Sequence, residues 1–228
     1  MKALLLAGGL GTRLRPLTDS VPKCLVPVKG LPLLKIWLDS LTQSGLDSFL
    51  INTHYLSEQV EDFIKNEGFS NVELVYEENL LGTAGTLIKN IDFFEGQDGL
   101  LIHADNYCTS DLTSFIDAHN NRPKGCLLTM MTFRTETPSS CGIIQINKSN
   151  IVLDFQEKSK EPLGNLANGA VYILSPELLK LVKTQYANAR DFSTEIIPNF
   201  LGSILSYEVN DTFLDIGTLE TYEKANLS

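Results

Sequence analysis

The chain has 228 residues, 43% hydrophobic and 20% charged, the composition of an ordinary globular protein long enough to bury a substantial core. Its 18 Lys and Arg against 28 Asp and Glu leave a net charge of −10, which disfavours nucleic acid or an anionic membrane as partner. Four cysteines without a Cys-x-x-Cys pair, a start at Met1–Ala7 too short for a signal peptide, and no apolar run of membrane length predict reduced thiols in a cytoplasmic protein.

Lys2 to Ala7 reads as a buried parallel strand that stops at Gly8-Gly9, with Gly11 following Leu10. Such glycines let the backbone turn and approach a ligand, and their bare amides suit a phosphate. Arg13, Arg15 and Lys23 add positive charge, so the stretch reads as a polyphosphate site. It is neither a dinucleotide fingerprint, because Gly9-Leu10-Gly11-Thr12-Arg13-Leu14 ends in leucine, nor a P-loop, because Gly-Lys-Ser/Thr is absent. Pro32 opens a helix with Leu34, Trp37, Leu38 and Leu41 at helical spacing, ended by Gly45. Phe49 to Asn52 is a strand. Ser57 then caps a helix with Val60, Phe63 and Ile64 inward, and Val72 to Tyr76 is the next strand. This alternation predicts a parallel sheet covered on both faces.

Leu80 to Thr86 is a second glycine loop, with a helix from Ala84 whose first amides would stand free. Leu100 to Ala104 is an apolar strand ending at Asp105-Asn106, where open α/β sheets bind ligands. Asp111 caps a helix carrying Leu112, Phe115 and Ile116, and Cys126 to Phe133 is a buried strand. Cys141 to Ile146 and Ile151 to Phe155, joined by Asn147–Asn150, predict an inserted hairpin. Asn168 to Tyr172 returns the chain to the sheet. Ser175-Pro176 and Asp191 start helices, Ser203 to Val209 is a strand, and a last helix carries Leu219, Tyr222 and Ala225. His54, His103 and His119 sit singly, with no Ser-His-Asp or Cys-His context.

The string GGLGTRLRPLT followed by PKCLVPV resembles the signature of the sugar-1-phosphate nucleotidylyltransferases. LLGTAGT, the strand end at Asp105, FQEK, NGAVYI and FLDIGT resemble further motifs of that family in the same order, so the likeness covers nearly the whole chain. The family usually has glycine where Ala104 stands. The resemblance implies an α/β, Rossmann-like doubly wound fold with a mostly parallel sheet and an inserted β-hairpin that binds sugar and would close over the acceptor. It implies one domain over residues 1–228, with 1–133 mainly for nucleotide and 134–228 mainly for sugar phosphate, and no room for the C-terminal β-helix of some relatives.

The activity implied is attack of a sugar 1-phosphate oxygen on the α-phosphate of a nucleoside triphosphate, with pyrophosphate leaving. In that comparison Arg13, Lys23 and Asp105 are catalytic, and Asp105 and Asp215 hold Mg²⁺. Nucleotide would lie on Leu6, Ala7, Gly8, Gly9, Gly11, Thr12, Arg13, Lys23, Glu78, Gly82, Thr83, Ala84 and Gly85. Sugar phosphate would lie on Asn106, Gly142, Glu157, Lys158 and Asn168. No general base is required, because the attacking phosphate is already ionised. LGTAGT and NTHYL most resemble guanylyltransferases acting on mannose- or manno-heptose-type 1-phosphates, with Glu77 or Glu78 accepting from guanine. A UTP- or dTTP-dependent enzyme and a silent nucleotide-sugar-binding regulator are the alternatives. A homodimer is compatible with this reading.

Overall fold

A computed structural model describes residues 1–227. Strand β1 (Lys2–Leu6) leads through the glycine loop into single-turn 3-10 helices at Thr12–Leu14, Leu17–Asp19 and Lys23–Leu25. A short ribbon of β2 (Pro27–Val28) and β3 (Leu31–Pro32) enters α1 (Leu33–Gln43). Then come β4 (Phe49–Thr53), α2 (Ser57–Glu67), β5 (Val72–Tyr76), α3 (Gly82–Lys89) and β6 (Gly99–His103). They are followed by β7 (Asn106–Cys108), α4 (Leu112–Asn120), β8 (Leu128–Arg134), β9 (Gly142–Ile146) and β10 (Val152–Glu157). β11 (Leu166–Leu174), α5 (Pro176–Gln185), β12 (Ile204–Glu208), β13 (Phe213–Asp215) and α6 (Leu219–Leu227) complete the described chain. The architecture is α/β and Rossmann-like, as the resemblance implies, and no β-helix occurs among the described residues.

The chain divides into two compact units. The first comprises Met1–Leu80, Ile102–Asp111 and the chain from Asp211 on. Here β4 lies parallel between β1 and β5, with Leu6 beside Asn52 and Asn52 beside Val75. On the other side of β1, the Ala104 amide donates to the Leu6 carbonyl at 3.1 Å. Leu4, Leu5 and Ile51 are fully buried, which is why these strands read as unbroken apolar runs rather than alternating ones. The register gathers Ala7, Asn52 and Asp105 at the carboxyl ends of neighbouring strands.

A second core cluster in this unit joins Leu14, Val26, Val28, Leu33, Tyr107, Ile216 and Ala225. It packs the segment after the glycine loop against β7 and the end of β13. Those two strands form an antiparallel pair that places Asp215 opposite Asn106. Strand β7 has no counterpart in the sequence reading.

The second unit comprises Leu81–Leu101 and Leu112–Asn210. Its β11 runs antiparallel to β8 and β9, while β12 is parallel to β8. The hairpin of β9 and β10 forms as predicted, because the Asn147 side chain accepts from the Ser149 and Ile151 amides at 2.8 and 3.1 Å.

Some boundaries differ from the sequence reading. Ser57 is the first helical residue rather than the cap, and Leu56 holds the cap position at φ 52° with no side-chain bond. Helix α3 begins at Gly82, not Ala84. Asp191 does cap, accepting from the Thr194 amide at 2.8 Å, but it starts a π turn over Phe192–Ile196 that becomes a 3-10 turn at Ile197–Phe200. Pro198 lacks the amide that an α-helix would need there.

Candidate active site

In the first unit, four side chains converge beside the glycine loop. Lys23, only 7% exposed, donates its ammonium to Asp105 Oδ2 at 2.5 Å and lies 3.8 Å from Asp215 Oδ1. Burial pushes the Asp105 carboxyl up, but the charges of Lys23 and His103, with the Lys23 hydrogen bond, outweigh it and hold the group below the usual carboxylate range. Asp215 reaches the site because β13 pairs with β7, and the Ile216 amide donates to the Asp105 carbonyl at 3.3 Å. A Cβ at Gly217 would lie 3.3 Å from both terminal nitrogens of Arg13 and from Asp215 Oδ1, so the bare glycine gives the guanidinium its place. Arg15 does not join this group: its Nε pairs with Asp19 at 3.2 Å on the exposed surface.

The loop itself is held from behind. The Ala7 amide donates to Asn52 Oδ1 at 2.8 Å in a buried contact, and a Cβ on Gly8 would fall 2.9 Å from Asn52 Nδ2. Gly11 sits at φ +62°, and its carbonyl accepts from the Thr18 hydroxyl at 2.7 Å and the Leu14 amide at 2.9 Å. Gly9 and Thr12 face solvent, while Leu6 is half-buried. Sequence reasoning missed Asn52 and Thr18. The signal for Asn52 was a polar residue at the carboxyl end of an otherwise apolar strand, FLINT.

Glu78 is exposed in this unit, whereas Glu77 is buried, its amide donating to the Thr53 carbonyl at 2.9 Å and its carbonyl bonded to His54 Nδ1 at 2.7 Å. Asn106 is nearly buried in β7, and its carbonyl accepts from Trp37 Nε1 at 2.8 Å.

The remaining candidates lie in the second unit. The start of α3 is partly engaged: the Ala84 amide donates to the Arg190 carbonyl at 3.0 Å, and Thr83 Oγ1 accepts from the Phe192 amide at 2.8 Å. The expectation of free amides at Ala84 is corrected accordingly. Gly82, at φ +82°, admits the Arg190 backbone, whose carbonyl lies where a Cβ would stand, whereas a Cβ at Gly85 would press on Leu81 Cβ at 3.0 Å.

On the hairpin, Gly142 pairs with Glu157, and a Cβ there would lie 2.7 Å from Glu157 Oε2 and from the Phe155 ring. Lys158 follows at φ 47° with its amide bonded to the Cys141 carbonyl at 3.0 Å. Its ammonium is 3.5 Å from Glu157 Oε1 and 66% exposed. Asn168 sits at a bulge in β11: its Oδ1 accepts from the Ala170 amide at 2.9 Å and its Nδ2 donates to the Tyr172 hydroxyl at 2.7 Å. One lone pair and one proton of that amide are left for a ligand.

Asp105 and Asp215 are hard oxygen donors of the kind Mg²⁺ takes, and Lys23 already stands between them as a cation. Among the described residues no group of three or more His, Cys, Asp or Glu could hold a metal. Any ion held by this pair would have to complete its shell with phosphate and water. All four cysteines are free thiols. Among the described residues, no helix is long and apolar enough to cross a membrane.

The profile of a family described as nucleotidyl transferase matches residues 2–228. A putative mannose-1-phosphate guanyltransferase of Sulfolobus acidocaldarius is 32% identical over 100% of this chain and 62% of its own length. A UTP–glucose-1-phosphate uridylyltransferase of Synechocystis sp. is 31% identical, covering 99% of this chain and 62% of that protein. A glucose-1-phosphate adenylyltransferase of Mycoplasma mobile is 30% identical, covering 100% and 66%. The chain thus spans less than two thirds of the length of each. Among solved structures, a putative glucose-1-phosphate thymidylyltransferase from Bacillus anthracis shares the fold, with a TM-score of 0.89 at 24% identity over 100% of this chain and 94% of that one. HddC from Yersinia pseudotuberculosis, complexed with GMP-PN, aligns with a TM-score of 0.81 at 25% identity over 99% and 98%.

Proposed function

The chain belongs to the nucleotidyl transferase family, and from that premise we propose that it joins a nucleoside triphosphate to a sugar 1-phosphate. A phosphate oxygen of the sugar attacks the α-phosphorus; the bond to the β-phosphate breaks, and pyrophosphate leaves with the electron pair. The observation that carries this reading is the cluster of Arg13, Lys23, Asp105 and Asp215 beside the glycine loop. Both reactants are anions, so the protein must chiefly neutralise charge and align them. Arg13 and Lys23 would meet charge growing on the α-phosphate and on pyrophosphate. Asp105 and Asp215 would hold Mg²⁺, which supplies further neutralisation of phosphate oxygens. The amides of the first glycine loop would receive the triphosphate, and Glu78 with the Gly82–Gly85 turn would receive the base. Lys158 would hold the acceptor phosphate, and Glu157 and the unused groups of Asn168 its hydroxyls. The free thiols suit the reducing cytoplasm.

GTP and a mannose-type 1-phosphate are the assigned substrates. Their support is the LGTAGT and NTHYL strings, the name of the Sulfolobus relative and the GMP-PN complex of HddC. The Synechocystis relative, named for UTP and glucose 1-phosphate, keeps UTP as the second reading. The test is pyrophosphate release from GTP, UTP, dTTP and ATP with a panel of sugar 1-phosphates and Mg²⁺. GTP with mannose 1-phosphate is expected to be fastest. Preference for another donor would overturn the base assignment, and no release from any pair would overturn the transferase.

A further inference from the structure

Helix α3 starts at a glycine against which a distant piece of chain packs where a Cβ would stand. The Arg190 carbonyl receives the Ala84 amide at 3.0 Å, and the Phe192 amide donates to Thr83 Oγ1 at 2.8 Å. Two bonds from one short segment thus hold successive residues of the turn. Gly82 is the residue whose missing side chain lets that segment approach, because a Cβ there would coincide with the Arg190 carbonyl.

The segment is itself braced at both ends. Glu195 Oε1 accepts from the Arg190 amide at 3.1 Å and from the Asp191 amide at 2.9 Å. Asp191 Oδ1 accepts from the Thr194 amide at 2.8 Å and the Thr194 hydroxyl at 2.9 Å. The Phe192 ring is fully buried and packs on Tyr172 with centroids 4.8 Å apart. The π turn over Phe192–Ile196 is what aims Glu195 back at the amides before it.

We propose that residues Ala189–Glu195 form a strap that positions the Gly82–Gly85 turn for the nucleobase, with Glu195 as the positioning residue that fixes the strap. This rests on the assignment of that turn to the nucleotide. Glu195 holds the Arg190 and Asp191 amides, and it acts on the turn through the bonds that Arg190 and Phe192 make to Ala84 and Thr83. Base selectivity then depends on a segment outside the glycine loops, because a turn held in one geometry presents its remaining polar groups at fixed places and discriminates between bases.

The test compares Glu195→Ala with Glu195→Gln, which retains an oxygen to accept from both amides. Equilibrium binding of GTP, UTP, dTTP and ATP is measured without sugar phosphate, so no turnover is needed, alongside hydrogen exchange at the Ala84 and Phe192 amides. Glu195→Ala is expected to weaken the best nucleotide about tenfold, to narrow the gap between best and worst, and to speed exchange at both amides. Glu195→Gln should stay near wild type in each. Unchanged affinities and selectivity in Glu195→Ala overturn the proposal, as does weaker binding with Ala84 exchange unaltered. Melting curves identify a variant that has simply unfolded; Asp191→Ala, which loosens the same turn from its other brace, then decides by the same readouts. A wild type that binds nucleotides but releases no pyrophosphate defeats the transferase reading and leaves the strap to be judged by binding. A wild type that binds no nucleotide defeats both.

Discussion

Lys23 and Lys158 illustrate how one residue type takes opposite environments. The first is buried against two carboxylates, so its charge is already engaged; the second stands 66% exposed with Glu157 beside it. An exposed ammonium is free to meet a phosphate at little desolvation cost. Lys158→Ala should therefore raise the acceptor KM about tenfold to a hundredfold with the triphosphate KM unchanged. Unchanged acceptor kinetics would move the sugar phosphate elsewhere. A Cβ at position 142 would stand 2.7 Å from Glu157 Oε2, so Gly142→Ala should displace that carboxylate and blur discrimination among sugars. A panel of sugar 1-phosphates at fixed donor checks it. Both residues were named through the family resemblance rather than by the hairpin pattern itself. That Asn168 gives part of its amide to Ala170 and Tyr172 was not legible, because the bulge exists only where β11 meets β8.

Among elements, the buried runs of β1, β4 and β6 were readable because strands covered on both faces are continuously apolar. Strand β7 was not: three residues carry no period, and its partner β13 lies far along the chain. That pair decides where Asp215 stands, and the cluster holding Leu14, Tyr107 and Ile216 fastens it to the segment bearing Arg13 and Lys23. Ile216 is fully buried there, next to Asp215. Ile216→Ala should cost about 2–5 kcal/mol and Ile216→Val about 0.5–1.5 kcal/mol. If the cluster aligns the carboxylates, kcat should fall in the same order, read by urea midpoints and turnover on the same samples. A valine variant that loses stability but keeps kcat would make the cluster a support for the fold alone. The strap at Ala189–Glu195 was equally hidden, since Asp191 advertised an ordinary helix start while Pro198 forced a different turn.

For the whole molecule, the strand–helix alternation was enough for the fold class. The interleaving of two units was not visible, because each is assembled from separated stretches whose boundaries carry no linker composition. Stability of the molecule toward acid has an identifiable contributor in the second unit. His119, fully buried, has its Nδ1 2.8 Å from the Thr129 hydroxyl and its Nε2 3.4 Å from Asp98 Oδ1. The His119 hydrogen bond lowers the Asp98 carboxyl below its ordinary value; burial opposes it, and the charges of His119 and Arg122 assist. A carboxyl whose folded-state pKa lies below the unfolded one binds fewer protons when folded, so stability rises with pH between the two. The contribution is complete above the unfolded value of about 3.9 and disappears as pH falls through the folded one. Asp98→Asn should thus lower stability at pH 7 by about 1 kcal/mol, a charged hydrogen bond discounted for partial exposure. The gap between wild type and variant should close as the pH is taken down below the ordinary carboxylate range. Urea midpoints at a series of pH values check this, and a gap that widened in acid would assign the acid sensitivity to another group.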